Sequence, residues 1–164
     1  MSIKIFVSYS TEDMGHIKPI LDQLKNVEDV EIFFADKTLN PGDNVEQIIL
    51  NNIKEADVFL MFNSESALKS NYVQQEIGVA KSNEKAIIPI LLDANKPTAM
   101  LNGINYLNFY NEAKRESEFS RLHDYIYTTI KNKNRNKLLT GIGLLAAGYL
   151  LTRSNDGDEY EDEF

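Results

Sequence analysis

The chain of 164 residues contains no cysteine. Disulfides, thiolate nucleophiles and thiolate-held metals are therefore excluded. Its two histidines, His16 and His123, stand far apart without ligand spacing, so a zinc site is not expected. Positive charge is scarce: the formal charge is −8. Six acids and no base fall in 154–164, which leaves −2 for 1–153. A nearly neutral folded part presents no basic face for nucleic acid. The apolar stretch at 3–7 is too short for the h-region of a secretory signal, so a cytoplasmic domain is the expectation. A glycine-rich phosphate loop is missing too, which argues against a dehydrogenase.

What remains is ordinary for a soluble globular protein, with 43% hydrophobic and 26% charged residues. The length suits one domain with a proper core, plus a tail. Residues 3–8 read as a strand of β-branched and aromatic residues, ending in a hydroxyl-rich and acidic turn over 8–13. A helix follows with Ile17, Ile20, Leu21 and Leu24 on one side; Pro19 predicts that it starts near His16. A strand over 30–35 leads into a loop over 36–44 built on Pro41-Gly42. The next helix, 45–54, turns Val45, Ile48, Ile49 and Ile53 inward. Residues 56–62 form a strand buried on both faces, 66–83 a single helix, and 86–92 a strand that Pro89 places near an edge. A short strand over 104–109 and a helix over 112–131 complete the series.

Strands alternating with helices imply a parallel sheet wrapped on both faces. The fold class is α/β and flavodoxin-like, five strands in the order 2-1-3-4-5. Such sheets bind ligands beyond the carboxyl ends of their strands, near the switch between strands 1 and 3. Three polar segments meet there: 8–13, 36–44 and the start of the third helix. On that helix Tyr72 and Glu76 are four apart and share a face. An aromatic plane beside a carboxylate suits a flat heterocycle with charge developing next to it. The pair alone also fits a core aromatic beside a solvated acid. Tyr9 suits packing as well as binding, Ser8 and Ser10 suit caps, and Asp36 suits an Asx turn. A response-regulator receiver shares this fold but wants an aspartate ending the third strand, where Phe62-Asn63 stand.

Three motifs in order carry a family resemblance. Ile5-Phe6-Val7-Ser8-Tyr9-Ser10 with Asp13, the stretch from Asp36 through Pro41-Gly42, and Ser70-Asn71-Tyr72-Val73-Gln74-Gln75-Glu76-Ile77 resemble the boxes of a TIR (Toll/interleukin-1 receptor) domain. The likeness spans about 3–130 and is nearest the stand-alone bacterial type. Tyr72 and Val73 stand where the family often has tryptophan and cysteine; the aromatic plane is kept. Enzymatic members cleave the nicotinamide–ribose bond of NAD+, giving ADP-ribose or a cyclic isomer, and bacterial ones act in Thoeris-like antiphage defence. Other members are non-catalytic adaptors that assemble through the BB loop. The resemblance implies Glu76 as the catalytic carboxylate, with NAD+ as substrate rather than cofactor. It implies that Tyr72 faces a ring or packs the wall, and that Tyr9 and Ser10 line the nicotinamide end. Asp36 contacts a ribose or orients its loop. Asn40 and Asn44 belong to a segment that closes over the ligand or meets a neighbouring subunit. Self-association and a downstream nucleotide-sensing effector are the implied partners.

The expected organisation is a domain over 1–131, a basic linker over 132–137, an apolar helix over 138–152 and an acidic, disordered tail over 153–164. As a helix, 138–151 would span about 21 Å at ~1.5 Å per residue, against a hydrocarbon core of ~30 Å. Gly143 and Ala147 allow close helix approach. Membrane contact, oligomerisation and packing back on the domain all remain open for it.

Overall fold

The computed structural model describes residues 2–34 and 44–136. Five parallel strands run β1 Ile3–Ser8, β2 Val30–Phe34, β3 Val58–Asn63, β4 Ala86–Leu91 and β5 Leu107–Asn108. They pair in the order β2-β1-β3-β4-β5, the flavodoxin-like order expected. The helices are α1 Met14–Lys25, α2 Val45–Glu55, α3 Glu65–Lys69, α4 Asn71–Ser82 and α5 Arg115–Asn136.

Strand alternation divides the core in two. Ile3, Ile5 and Val7 of β1, with Val58, Leu60 and Phe62 of β3, pack against Ile17, Ile20, Leu21 and Leu24 of α1 and Leu122, Ile126 and Ile130 of α5. Phe6, Phe59 and Met61 face the other way, onto Ile53 of α2, Ala67 of α3, and Val73, Ile77 and Ala80 of α4. Phe6 and Phe59 are register partners and stack with centroids 5.4 Å apart. Every residue of β3 is buried, as its apolar run predicts.

Several boundaries differ from the expectation. α1 starts at Met14, so Pro19 lies inside it, beyond the first turn. The carbonyl that Pro19 leaves without a helical partner belongs to Gly15, which is exposed and open to water. The single helix expected over 66–83 is two helices, because Ser70 takes an extended conformation (φ −79°, ψ 118°) between α3 and α4. Its hydroxyl accepts from the Val73 amide at 3.4 Å, which starts α4 afresh. Val45, expected inward, is 44% exposed at the first position of α2. β5 has two residues, and it pairs only with Ile90 and Leu91. Pro89 therefore sits where β4 has no β5 partner in register, close to an edge as expected.

Residues 132–136, expected as linker, continue α5. A clamp at the amino end of the sheet accounts for this. Asp57 accepts from the Lys4 amide at 2.8 Å and from Lys133 Nζ at 2.7 Å, and Lys133 also donates to the Ser2 carbonyl at 3.1 Å. Among the described residues no helix is long and apolar enough to cross a membrane. The segment 138–152, the tail over 153–164, and Asp36 and Asn40 of the loop lie outside the described residues.

These contacts lead to stability predictions at Asp57, Lys69 and Ser70. Asp57→Ala takes the carboxylate from half-buried Lys133, which keeps only the Ser2 carbonyl, and removes the acceptor of the Lys4 amide; it is expected to cost about 1–3 kcal/mol in chemical denaturation. Lys69→Ala, which removes an exposed pair with Glu65, costs much less because water screens that pair. Ser70→Ala should cost about 0.5–2 kcal/mol through the lost cap, and Ser70→Asp should recover most of it.

Candidate active site

β1 ends at Ser8, at the carboxyl edge of the sheet next to β3, where Ser8 pairs with Met61. Alternation sends Ser8 to the same face as Phe6, the face that α2 and α4 cover. There Ser8 meets α4. Its Oγ donates to Glu76 Oε2 at 2.5 Å, a buried bond between residues 68 apart in the chain. Glu76 is only 8% exposed, although the residues around it on α4 include exposed Tyr72 and Gln75. Its depth follows from its neighbours: Val73 and Ile77 are core residues and hold that side of α4 against the sheet.

The next residue, Tyr9, turns to the opposite face. It is 9% exposed and meets Phe34 edge-on, centroids 6.3 Å apart and planes at 86°. Ser10 caps a 3-10 turn, Thr11–Asp13, by accepting from the Glu12 amide at 3.4 Å. That turn is tied to the start of α3. Ser64 Oγ donates to Asp13 Oδ2 at 2.5 Å, and Ser66 Oγ donates to Glu12 Oε2 at 2.7 Å. The loop after β1 is thereby tied to the start of α3 at two points.

These elements surround a cavity of about 320 Å³ lined by Tyr9, Ser10, Val45, Ile49, Tyr72 and Glu76, among others. Glu76 supplies its carboxylate. Tyr72, one turn before Glu76 and 78% exposed, stands at the mouth. The space opens into a groove of about 780 Å³ between α2 and α4, with Val45, Ile49, Tyr72 and Glu76 common to both. Asn44 is not among the lining residues. Its side chain caps α2 by accepting from the Gln47 amide at 3.2 Å, which sets the position of neighbouring Val45.

The structure thus brings Tyr9, Ser10, Tyr72 and Glu76 together and leaves Asn44 at the helix cap beside them. Sequence reasoning took Ser8 for a cap and Val45 for core; one bonds the carboxylate and the other lines the cavity. The Phe6/Ser8 alternation was the signal for Ser8. Chemically, the arrangement offers a fixed carboxylate inside a half-enclosed space with an aromatic at its entrance. It can hold sugar hydroxyls and stabilise positive charge nearby. Among the described residues no group of His, Asp and Glu is arranged to hold a metal ion.

A second cavity, about 510 Å³, lies between α1 and α5 on the other face, lined by Ile20, Phe109, Arg115 and Phe119 among others. Its carboxylates, Glu112 and Glu116, are exposed and far less suited to act on a reacting centre.

Comparison with known proteins agrees with the fold. The TIR domain of the Toll-related receptor TRR-2 from Hydra magnipapillata is similar, with TM-score 0.66 and 20% identity over 75% of this chain and 97% of that one. A prokaryotic SEFIR domain is similar with TM-score 0.59 and 20% identity, over 77% and 93%. A metazoan TIR-STING receptor from C. gigas is similar with TM-score 0.52 and 21% identity, over 71% and 40%. At these identities the structures speak for the fold alone. No curated protein matches the sequence. A TIR domain family model matches residues 5–123, most of the chain, and the protein belongs to the TIR domain family.

Proposed function

We propose that the Glu76 cavity cleaves the nicotinamide–ribose bond of NAD+, giving nicotinamide and either ADP-ribose or a cyclic ADP-ribose isomer. The protein would be a stand-alone bacterial NAD-cleaving TIR protein of the Thoeris-like antiphage type, acting in the cytoplasm. The observation that carries this reading is a carboxylate held 8% exposed at the carboxyl edge of the sheet, inside a cavity. A buried carboxylate is costly unless it is bonded and used.

The chemistry needs little else. The C1′–N bond breaks and its electron pair goes to the pyridinium nitrogen, so nicotinamide leaves neutral. Positive charge then grows on C1′ and the ring oxygen. Glu76, shielded from water, favours that charge electrostatically and would hold the ribose hydroxyls. Water at C1′ gives ADP-ribose and a proton; an internal nucleophile of the same molecule gives the cyclic product. Proton transfer from a second carboxylate is not required, since the leaving group departs without protonation. Tyr72 would face a ring or pack the cavity wall. Tyr9 and Ser10 would line the nicotinamide end, Asp36 would contact a ribose or orient its loop, and Asn40 and Asn44 would close over the ligand or contact a second copy. Self-association through TIR domains and a nucleotide-sensing effector complete the proposal. The 138–152 segment would serve membrane contact or oligomerisation.

The second reading is a non-catalytic scaffold that assembles through the 36–44 loop. Exposed Val45, which follows that loop in the chain, and exposed Tyr72 favour it. A scaffold, however, has no use for a carboxylate buried in a cavity. The test is NAD+ consumption by concentrated purified protein beside Glu76→Gln, with products separated by chromatography. The expected result is nicotinamide release by the wild type and a loss of at least about 10²–10³-fold in the variant. No turnover by concentrated or assembled wild type would favour the scaffold.

A further inference from the structure

We infer that Ser8 is a positioning residue for the reaction: its hydroxyl aims the Glu76 carboxylate at the substrate ribose. The inference rests on the NAD-cleaving reading and adds to it a residue outside the implied site.

The geometry is specific. Ser8 is 1% exposed, and its Oγ donates to Glu76 Oε2 at 2.5 Å. A hydroxyl has one proton to give, and an ionised carboxylate can only accept, so the direction of the bond is settled by the groups themselves. Such a charge-assisted bond is about twice as strong as a neutral one. Ser8 also sits on a rigid support. β1 is flanked by β2 and β3, and the pairing with β3 runs to the Ser8–Met61 step. Glu76, in contrast, reaches the cavity on a long side chain with three torsions. The bond from the sheet to Oε2 anchors one carboxylate oxygen and so helps to set the direction of the negative charge.

The surroundings show that the hydroxyl is not there for packing. On that face of the sheet the neighbours include apolar Phe6, Phe59 and Met61. A small apolar residue would fill the same space without the cost of burying a hydroxyl. What serine adds is the proton it places on Glu76. Ser10 and Ser70 cap helical turns, whereas Ser8 caps none and spends its hydroxyl on a carboxylate across the fold.

The test is steady-state kinetics on NAD+ with folding checked in parallel. Ser8→Ala should lower kcat about ten- to a hundredfold, because a carboxylate misaimed by an ångström loses that much, while KM stays within about twofold. Ser8→Thr keeps the hydroxyl and should recover most of kcat despite its added methyl. Ser8→Cys, close in shape but a weak donor, should behave like Ser8→Ala while staying folded. A merely structural role predicts the reverse order, with Thr worse than Ala and activity following the thermal midpoint. Full kcat in Ser8→Ala, or Thr no better than Ala, overturns the inference and leaves the Glu76 reading standing. A wild type inert toward NAD+ overturns both.

Discussion

A carboxylate taken out of water has to be bonded, or it is neutralised or expelled. In this protein the bond from Ser8 to Glu76 meets that demand at the carboxyl edge of the sheet. Much of the architecture serves to keep the two together. Phe6 and Phe59 stack beneath them, and Val73 and Ile77 seat α4 on the same face. Ser70 restarts the helix so that Glu76 comes to lie over the end of β1. Ser64 and Ser66 hold the turn after β1 through Asp13 and Glu12. The Glu76 cavity and the Asp57–Lys133 clamp of this TIR domain thus lie at opposite poles of the sheet.

The two poles differ in what their bonds do. At the amino pole Asp57 joins the starts of β1 and β3 to the last turns of α5. Nothing there forms part of the Glu76 cavity, so the bonds can be optimised for holding the layers. At the carboxyl pole the bonds join segments far apart in the chain, and they leave a space. The groove between α2 and α4 continues that space past exposed Tyr72 and Val45, giving a long ligand or a neighbouring copy room to approach.

The strand order was legible because the signal was strong and repeated. Continuous apolar runs such as Phe59-Leu60-Met61-Phe62 mark buried parallel strands, and Pro89 points to an edge. Helix limits were less legible. Apolar spacing from Ala67 through Val73 and Ile77 continues across Ser70, so periodicity alone hides the break that the hydroxyl cap creates. Pro19 misled for a related reason: an exposed Gly15 carbonyl tolerates the missing helical bond. Glu76 emerged from a motif, not from its own spacing to Tyr72, and its burial depends on a partner 68 residues away. Ser8 escaped because serine after a strand is commonly a cap; only the fold reveals which partner it finds.

The most direct test of the central claim is a crystal structure with a carbocyclic NAD+ analogue, which cannot lose nicotinamide by forming an oxocarbenium ion. The account predicts the nicotinamide-side ring between Glu76 and Tyr72, its hydroxyls within hydrogen-bond distance of the Glu76 carboxylate. Binding in the α1/α5 cavity instead, or on a surface without contact to Glu76, would contradict it.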